Sequence, residues 1–183
     1  MSRVLIPLAE GCEELEAVTL IDILRRGEVD VTVAGLVPGP VIASRGVVLV
    51  PDVTLDEVLE DRFDMIVLPG GKGGAERLEA DGRLRDLLRQ HAEDAHYTAA
   101  ICAAPRVLAA AGLLDHREAT SFPGFLDDPP AEGLVLSEAP VVQDGNVITS
   151  RGPGTAMDFA LELLALLRGK AVRDRVEGAL QRP

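Results

Sequence analysis

The sequence predicts a doubly wound α/β fold: a mostly parallel sheet sandwiched by helices, with a nucleophile elbow and one small β-hairpin. Two patterns carry that expectation. Short apolar runs alternate with longer helical patterns along the whole chain. One of the apolar runs, Tyr97-Thr98-Ala99-Ala100-Ile101, breaks at Cys102 directly into a helical stretch that begins Ala103-Ala104-Pro105. Composition agrees, because apolar residues make up 47% and aromatic ones only 3%, so the core is aliphatic, as buried parallel strands require.

The elements follow in order. Val4 to Leu8 reads as a first strand, Glu13 to Arg26 as a helix closed by Gly27, and Val29 to Ala34 as a second strand. Pro38-Gly39-Pro40 marks an excursion leading to a strand at Val47 to Val50 and a short helix at Leu55 to Leu59. The run Met65-Ile66-Val67-Leu68 is too short for a helix and ends in Pro69-Gly70-Gly71, so it reads as a buried strand before a helical stretch reaching Gln90. Between Ala139 and Thr149, Asp144-Gly145 stands between β-rich flanks, a hairpin signal. Helices over Thr155 to Leu167 and Lys170 to Leu180, separated by Gly169, close the chain. No linker or repeat divides it, so residues 1–183 form one domain.

Charge and cysteine usage narrow the function. A net charge of -12 and few aromatic platforms argue against nucleic acid as a partner, and no run is long enough for a membrane span. Only Lys72 and Lys170 are lysines among the 18 basic residues. The chain enters its first strand without a leader, and two cysteines make no disulfide framework; both point to a reducing cytoplasm. Cys12 and Cys102 have no histidine at ligand spacing, so neither a metal nor any other cofactor is expected.

In a doubly wound sheet, ligands bind beyond the carboxyl ends of the strands. Three loops converge there: Glu10-Gly11-Cys12, Pro69-Gly70-Gly71 and the elbow at Cys102. A cysteine at a helix start meets unpaired N–H groups and is expected to favour thiolate, although a free cysteine also commonly just fills core space. On the first helix the apolar arc is set by Ala17, Leu20, Ile23 and Leu24. Glu14 falls outside it, and Glu13 and Glu16 inside. Glu13 can escape to water from the helix start. Glu16 lies a turn further in, where burial and a nearby thiolate would keep it protonated and make it a proton donor toward sulfur. The alternative is that all three glutamates only complement the helix N-terminus. Gly70-Gly71 lacks the lysine-containing ending of a phosphate loop, and Gly71 with the N–H of Ala103 fits better as an oxyanion donor pair over Cys102. His91 and His116 each precede a Glu by two positions, as in glutamine amidotransferases, but neither follows Cys102 at the right distance.

Four motifs in order, Gly11-Cys12-Glu13-Glu14-Leu15-Glu16, Leu68-Pro69-Gly70-Gly71, Ala99 to Pro105, and Thr149-Ser150-Arg151-Gly152-Pro153-Gly154-Thr155, resemble the ThiJ/PfpI superfamily, whose domain is of the class I glutamine amidotransferase-like type. More narrowly they resemble its branch holding the parkinsonism-associated deglycase and the bacterial YajL-type chaperone. The resemblance implies a flavodoxin-like homodimer. In it a protonated Glu16 hydrogen-bonds Cys102, Gly152-Pro153 borders the pocket, and Arg45, with Arg26, approaches from the partner subunit. Phe122 stands where related proteins place a histidine, and Ala103 replaces the histidine of the PfpI-type peptidases, which excludes a protease. Cys12 occupies a position where a small residue is expected and is a candidate resolving thiol for oxidised Cys102.

The resemblance implies a cysteine-dependent enzyme acting on small reactive aldehydes or their adducts, of glyoxalase or deglycase type. Its alternative is an oxidation-sensing, redox-regulated chaperone that binds unfolded client proteins and whose Cys102 forms sulfenate or sulfinate.

Overall fold

The structure, a computed structural model, describes residues 1–127 and 129–182. In chain order its elements are β1 (Arg3–Leu8), α1 (Glu14–Arg26), β2 (Asp30–Gly35), β3 (Val41–Ile42), β4 (Val48–Leu49), β5 (Val53–Thr54), β6 (Met65–Leu68), α2 (Lys72–Ala80), α3 (Gly82–Glu93) and β7 (Tyr97–Ile101). Then come α4 (Pro105–Ala110), β8 (Glu118–Ala119), β9 (Val135–Leu136), β10 (Val141–Asp144), β11 (Val147–Ser150), α5 (Ala156–Arg168) and α6 (Lys170–Ala179). Short 3-10 turns at Leu55–Val58 and Pro153–Thr155 complete the list.

Seven strands form the main sheet in the order β10-β11-β7-β6-β1-β2-β5. All neighbours are parallel except β10 and β11, the hairpin that Asp144-Gly145 announced. The chain builds outward from β1 through β2 to β5, then returns to lay β6 on the opposite side of β1. That reversal is a topological switch point, and the loops leaving β1 and β6 splay apart there to open a crevice. Helices α1, α5 and α6 pack with one another, and α2, α3 and α4 make a second group, as covers on the two faces of a sheet do.

Every residue of β6 is fully buried, as are Ala99, Ala100 and Ile101 of β7, so these strands read as uninterrupted apolar runs. On α1 the arc Ala17, Leu20, Ile23 and Leu24 is sealed against the sheet, and Gly27 caps the helix end. Each such leucine contributes about 1.5–3 kcal/mol through burial.

Three expectations need correction. The stretch expected to run to Gln90 is two helices, because the Asp81 carboxylate accepts from the N–H groups of Arg83 (3.0 Å) and Leu84 (3.3 Å) and starts α3 anew. The strand expected at Val47 to Val50 pairs only through Val48–Leu49, with β3, in a hairpin outside the main sheet. Glu14, expected to face outward, is buried, because the turn of that hairpin folds over it.

Candidate active site

Cys102 is the first residue beyond β7, and its backbone turns sharply there, with φ +64°. A non-glycine residue in this left-handed region costs about 1–2 kcal/mol. Two hydrogen bonds hold it: Cys102 N–H donates to Ser150 O (2.9 Å), and Cys102 C=O accepts from Phe122 N–H (2.8 Å). Pro105 opens α4 immediately afterwards. The turn lifts the sulfur above the sheet edge, where 8% of the residue remains exposed.

Glu16 reaches the same point from α1 and is fully buried. Its Oε2 accepts from Gly70 N–H at 2.8 Å. A Cβ added to Gly70 would sit 2.6 Å from that oxygen and 2.7 Å from Cys102 Cβ, so carboxyl and cysteine flank the glycine at close range. Gly71 is equally constrained: its φ is +85° and an added Cβ would lie 2.5 Å from Glu13 N. Oε1 of Glu16 is buried without a hydrogen-bond donor. A buried carboxylate with an oxygen that no donor reaches is costly, which favours the protonated acid at this position.

Electrostatics favours the acid. Burial pushes the Glu16 carboxyl up to about 7, against the opposing pull of the Gly70 N–H and the Cys102 thiol. For Cys102, burial and then the negative charge of Glu16 push the thiol up to about 12, while N–H groups of Gly71 and Ala103 pull it down. Burial thus works against the thiolate that a helix start favours. A proton on Glu16 removes the like-charge repulsion and leaves burial alone to oppose the N–H groups of Gly71 and Ala103. The two groups titrate as a pair.

Above the sulfur lies a pocket of about 430 Å³. Its floor is Cys102, Ala103 and Gly71, and its walls include Phe122, Phe125 and Pro153. Gly152 is buried behind the wall, where a Cβ would touch the Phe122 ring at 3.4 Å. Arg45 lines the pocket of its own chain, on a turn held by Glu14, whose Oε1 accepts from Arg45 N–H (2.8 Å) and whose Oε2 accepts from Ser44 Oγ (2.9 Å). Hydrogen bonds from the Glu14, Arg45 and Val47 N–H groups and the Ser44 hydroxyl outweigh burial and lower the Glu14 carboxyl.

Two sequence candidates lie apart from this group. Cys12 is fully buried beneath the loops, packed so closely against α2 that a Cβ on Gly74 would meet its Cα at 2.7 Å, and burial pushes its thiol up to about 11. It does not line the pocket, which removes the basis for reading it as a crevice thiol. Arg26 is exposed at the far end of α1 and pairs with Asp22 at 2.5 Å. Sequence reasoning passed over Lys72, Phe125 and Ser44 as pocket residues. Only Lys72 offered a signal, standing directly after Gly70-Gly71.

A profile of the DJ-1/PfpI family matches residues 2–166. Protein dj-1beta of Drosophila melanogaster is 43% identical over 178 residues, covering 96% of this chain and 95% of that one. Its crystal structure matches with a TM-score of 0.95 at 42% identity over the whole of both chains. The glutathione-independent glyoxalase DJR-1.2 of Caenorhabditis elegans is 37% identical over 162 residues, 87% of this chain and 85% of that one. The oxidized form of DJ-1 from Toxoplasma gondii matches with a TM-score of 0.93 at 37% identity over 98% of each chain. Among the described residues no helix is long and apolar enough to cross a membrane.

Proposed function

Because this chain belongs to the DJ-1/PfpI family, we propose that it is a glyoxalase-type enzyme that converts 2-oxoaldehydes such as methylglyoxal to 2-hydroxy acids, and thereby removes their adducts, with Cys102 as nucleophile and Glu16 as proton shuttle. The observation that carries the reading is the buried Glu16 carboxyl, with a donor-less Oε1, flanking Gly70 together with Cys102 of the elbow. A relative bearing the glyoxalase name at 37% identity supports it.

The steps balance without a cofactor. The Cys102 thiolate bonds to the aldehyde carbon, and the new alkoxide, polarised by the N–H groups of Gly71 and Ala103, takes the proton of Glu16. The Glu16 carboxylate removes the hydrogen on that carbon as a proton and delivers it to the adjacent carbonyl carbon, while the hydroxyl proton passes between the two neighbouring oxygens. The first carbon is thereby oxidised to a thioester and the second reduced to an alcohol. Glu16 then takes a proton from water as its oxygen adds to the thioester. The carbon–sulfur bond breaks, and the products are a 2-hydroxy carboxylate, one released proton and the starting Glu16–Cys102 pair.

We assign the working form as a homodimer. Leu15 and Val18 on the outer face of α1, and Val47, Val48 and Val50 on the adjoining hairpin, are 47–77% exposed and form an apolar surface next to the pocket loop.

The test is lactate formation from methylglyoxal in a non-nucleophilic buffer. Wild type should turn over and Cys102→Ser should not; equal rates would remove the enzymatic reading. A second reading, a peroxide sensor, draws on the same sulfur and on the oxidized Toxoplasma gondii relative. Mass spectrometry after stoichiometric peroxide discriminates, since a sensor must take oxygen at Cys102 and not at Cys12.

A further inference from the structure

Lys72 is one of two lysines in the chain, and it stands at the mouth of the Cys102 pocket as the first residue of α2. A cation at a helix N-terminus faces the positive end of the helix dipole, an unfavourable place that no acidic residue in the first turn offsets. The other lysine, Lys170, pairs with Asp174. Lys72 has no such partner among the described residues, and Arg45, the second cation of the pocket, bonds only the Ser44 carbonyl, at 3.4 Å. The one acidic residue lining the same pocket, Glu13, accepts from the Ser44 hydroxyl at 2.9 Å. In a chain with 30 acidic against 18 basic residues, the entrance to the nucleophile thus holds two cations that form no salt bridge among the described residues.

Space points the same way. The pocket, at about 430 Å³, is in the range that holds ligands much larger than a three-carbon aldehyde. Lys72 and Phe125 also form the wall it shares with a second cavity of about 520 Å³, lined further by Arg106, Ala110 and Leu126. Arg106 pairs with Glu79, which lines the same cavity, so among the described residues Lys72 is the cation at the junction without a carboxylate partner.

We infer that Lys72 is a specificity-determining residue, and that the preferred substrates are 2-oxoaldehydes whose tail ends in an anionic group, bound by Lys72 where the two cavities meet. The inference rests on the glyoxalase reading and sharpens it. The aldehyde end lies over Cys102, the chain of carbons passes Phe125, and the anion takes a charge-assisted hydrogen bond from the ammonium and the attraction of the α2 N-terminus. The chemistry is the water-consuming isomerisation described above, so 4,5-dioxopentanoate would give 2-hydroxyglutarate just as methylglyoxal gives lactate.

The experiment compares kcat/KM for 4,5-dioxopentanoate and for methylglyoxal in wild type, Lys72→Met and Lys72→Arg. Wild type should favour the carboxylate substrate by roughly fivefold or more, Lys72→Met should lose that ratio, and Lys72→Arg should restore most of it. Rising ionic strength should erode the ratio in wild type and leave Lys72→Met unmoved. A ratio of one in wild type, or the same ratio in Lys72→Met, overturns the inference while leaving the glyoxalase reading intact. Absence of turnover with both substrates overturns that reading instead. The inference then stands or falls on protection of Cys102 from iodoacetamide by 2-hydroxyglutarate: protection in wild type and none in Lys72→Met upholds the anion subsite, and equal protection in the two refutes it.

Discussion

The N–H of Gly70 donates to Oε2 of Glu16 at 2.8 Å, and with that single bond it fixes which carboxyl oxygen faces the loop and which is left without a donor. The contact is possible only because position 70 has no side chain. In Gly70→Ala the added methyl would meet Glu16 Oε2 at 2.6 Å and Cys102 Cβ at 2.7 Å. The variant should fold with a loss of about 1–3 kcal/mol and fall well below wild type in methylglyoxal turnover, checked by denaturant titration and steady-state kinetics.

Glu16→Gln keeps the size of the side chain and a hydrogen-bond donor but carries no transferable proton. Turnover should drop by about a hundredfold or more, while peroxide still oxidises Cys102. Intact mass and kinetics on one preparation check both halves, and full activity would refute the proton role.

Stability should carry two opposing pH slopes. Glu16 has its folded value raised to about 7 from 4.5, so its contribution is complete below pH 4.5 and is lost as pH rises through 7, by about 3 kcal/mol. His91 is the reverse: burial, then the neighbouring His96, lower it from 6.5 to about 4, so its contribution is present above pH 6.5 and is lost as pH falls through 4. In thermal melts between pH 4.5 and 6.5, Glu16→Gln should gain stability with rising pH and His91→Gln should lose it. Wild type should be flatter than either.

Val48, 57% exposed on the hairpin beside the pocket loop, is the position to break the dimer. Val48→Asp should shift the sedimenting mass from two chains to one, with little change in secondary structure by circular dichroism. An unchanged mass would place any interface elsewhere.

Strands β1, β6 and β7 and the cysteine elbow were legible because each is a local pattern: an apolar run, a Gly-Gly stop, a break into small residues. Helical periodicity showed Glu16 only as an acid inside the apolar arc, together with Glu13; its pairing with Cys102 came from the family resemblance. What escaped depends on contacts distant in sequence. Glu14 lies outside that arc and is buried all the same, because Ser44 and Arg45 fold back across 30 residues to bond it. The two-residue strands β5, β8 and β9 are too short to leave a period. The forces on the Cys102 thiol were only partly legible for a related reason: a helix start is a local feature, whereas the burial and the Glu16 charge that oppose it come from elements distant in sequence.

The central claim is that a proton held by Glu16 lets the Cys102 sulfur ionise near neutral pH. The rate of Cys102 alkylation by iodoacetamide, followed by mass from pH 5 to 10 in wild type and Glu16→Leu, tests it most directly. A plateau in wild type that extends to neutral pH or below, displaced to higher pH when the carboxyl is removed, is the predicted result. A rate that climbs alike in both proteins through pH 9, with no plateau near neutrality, would contradict the claim.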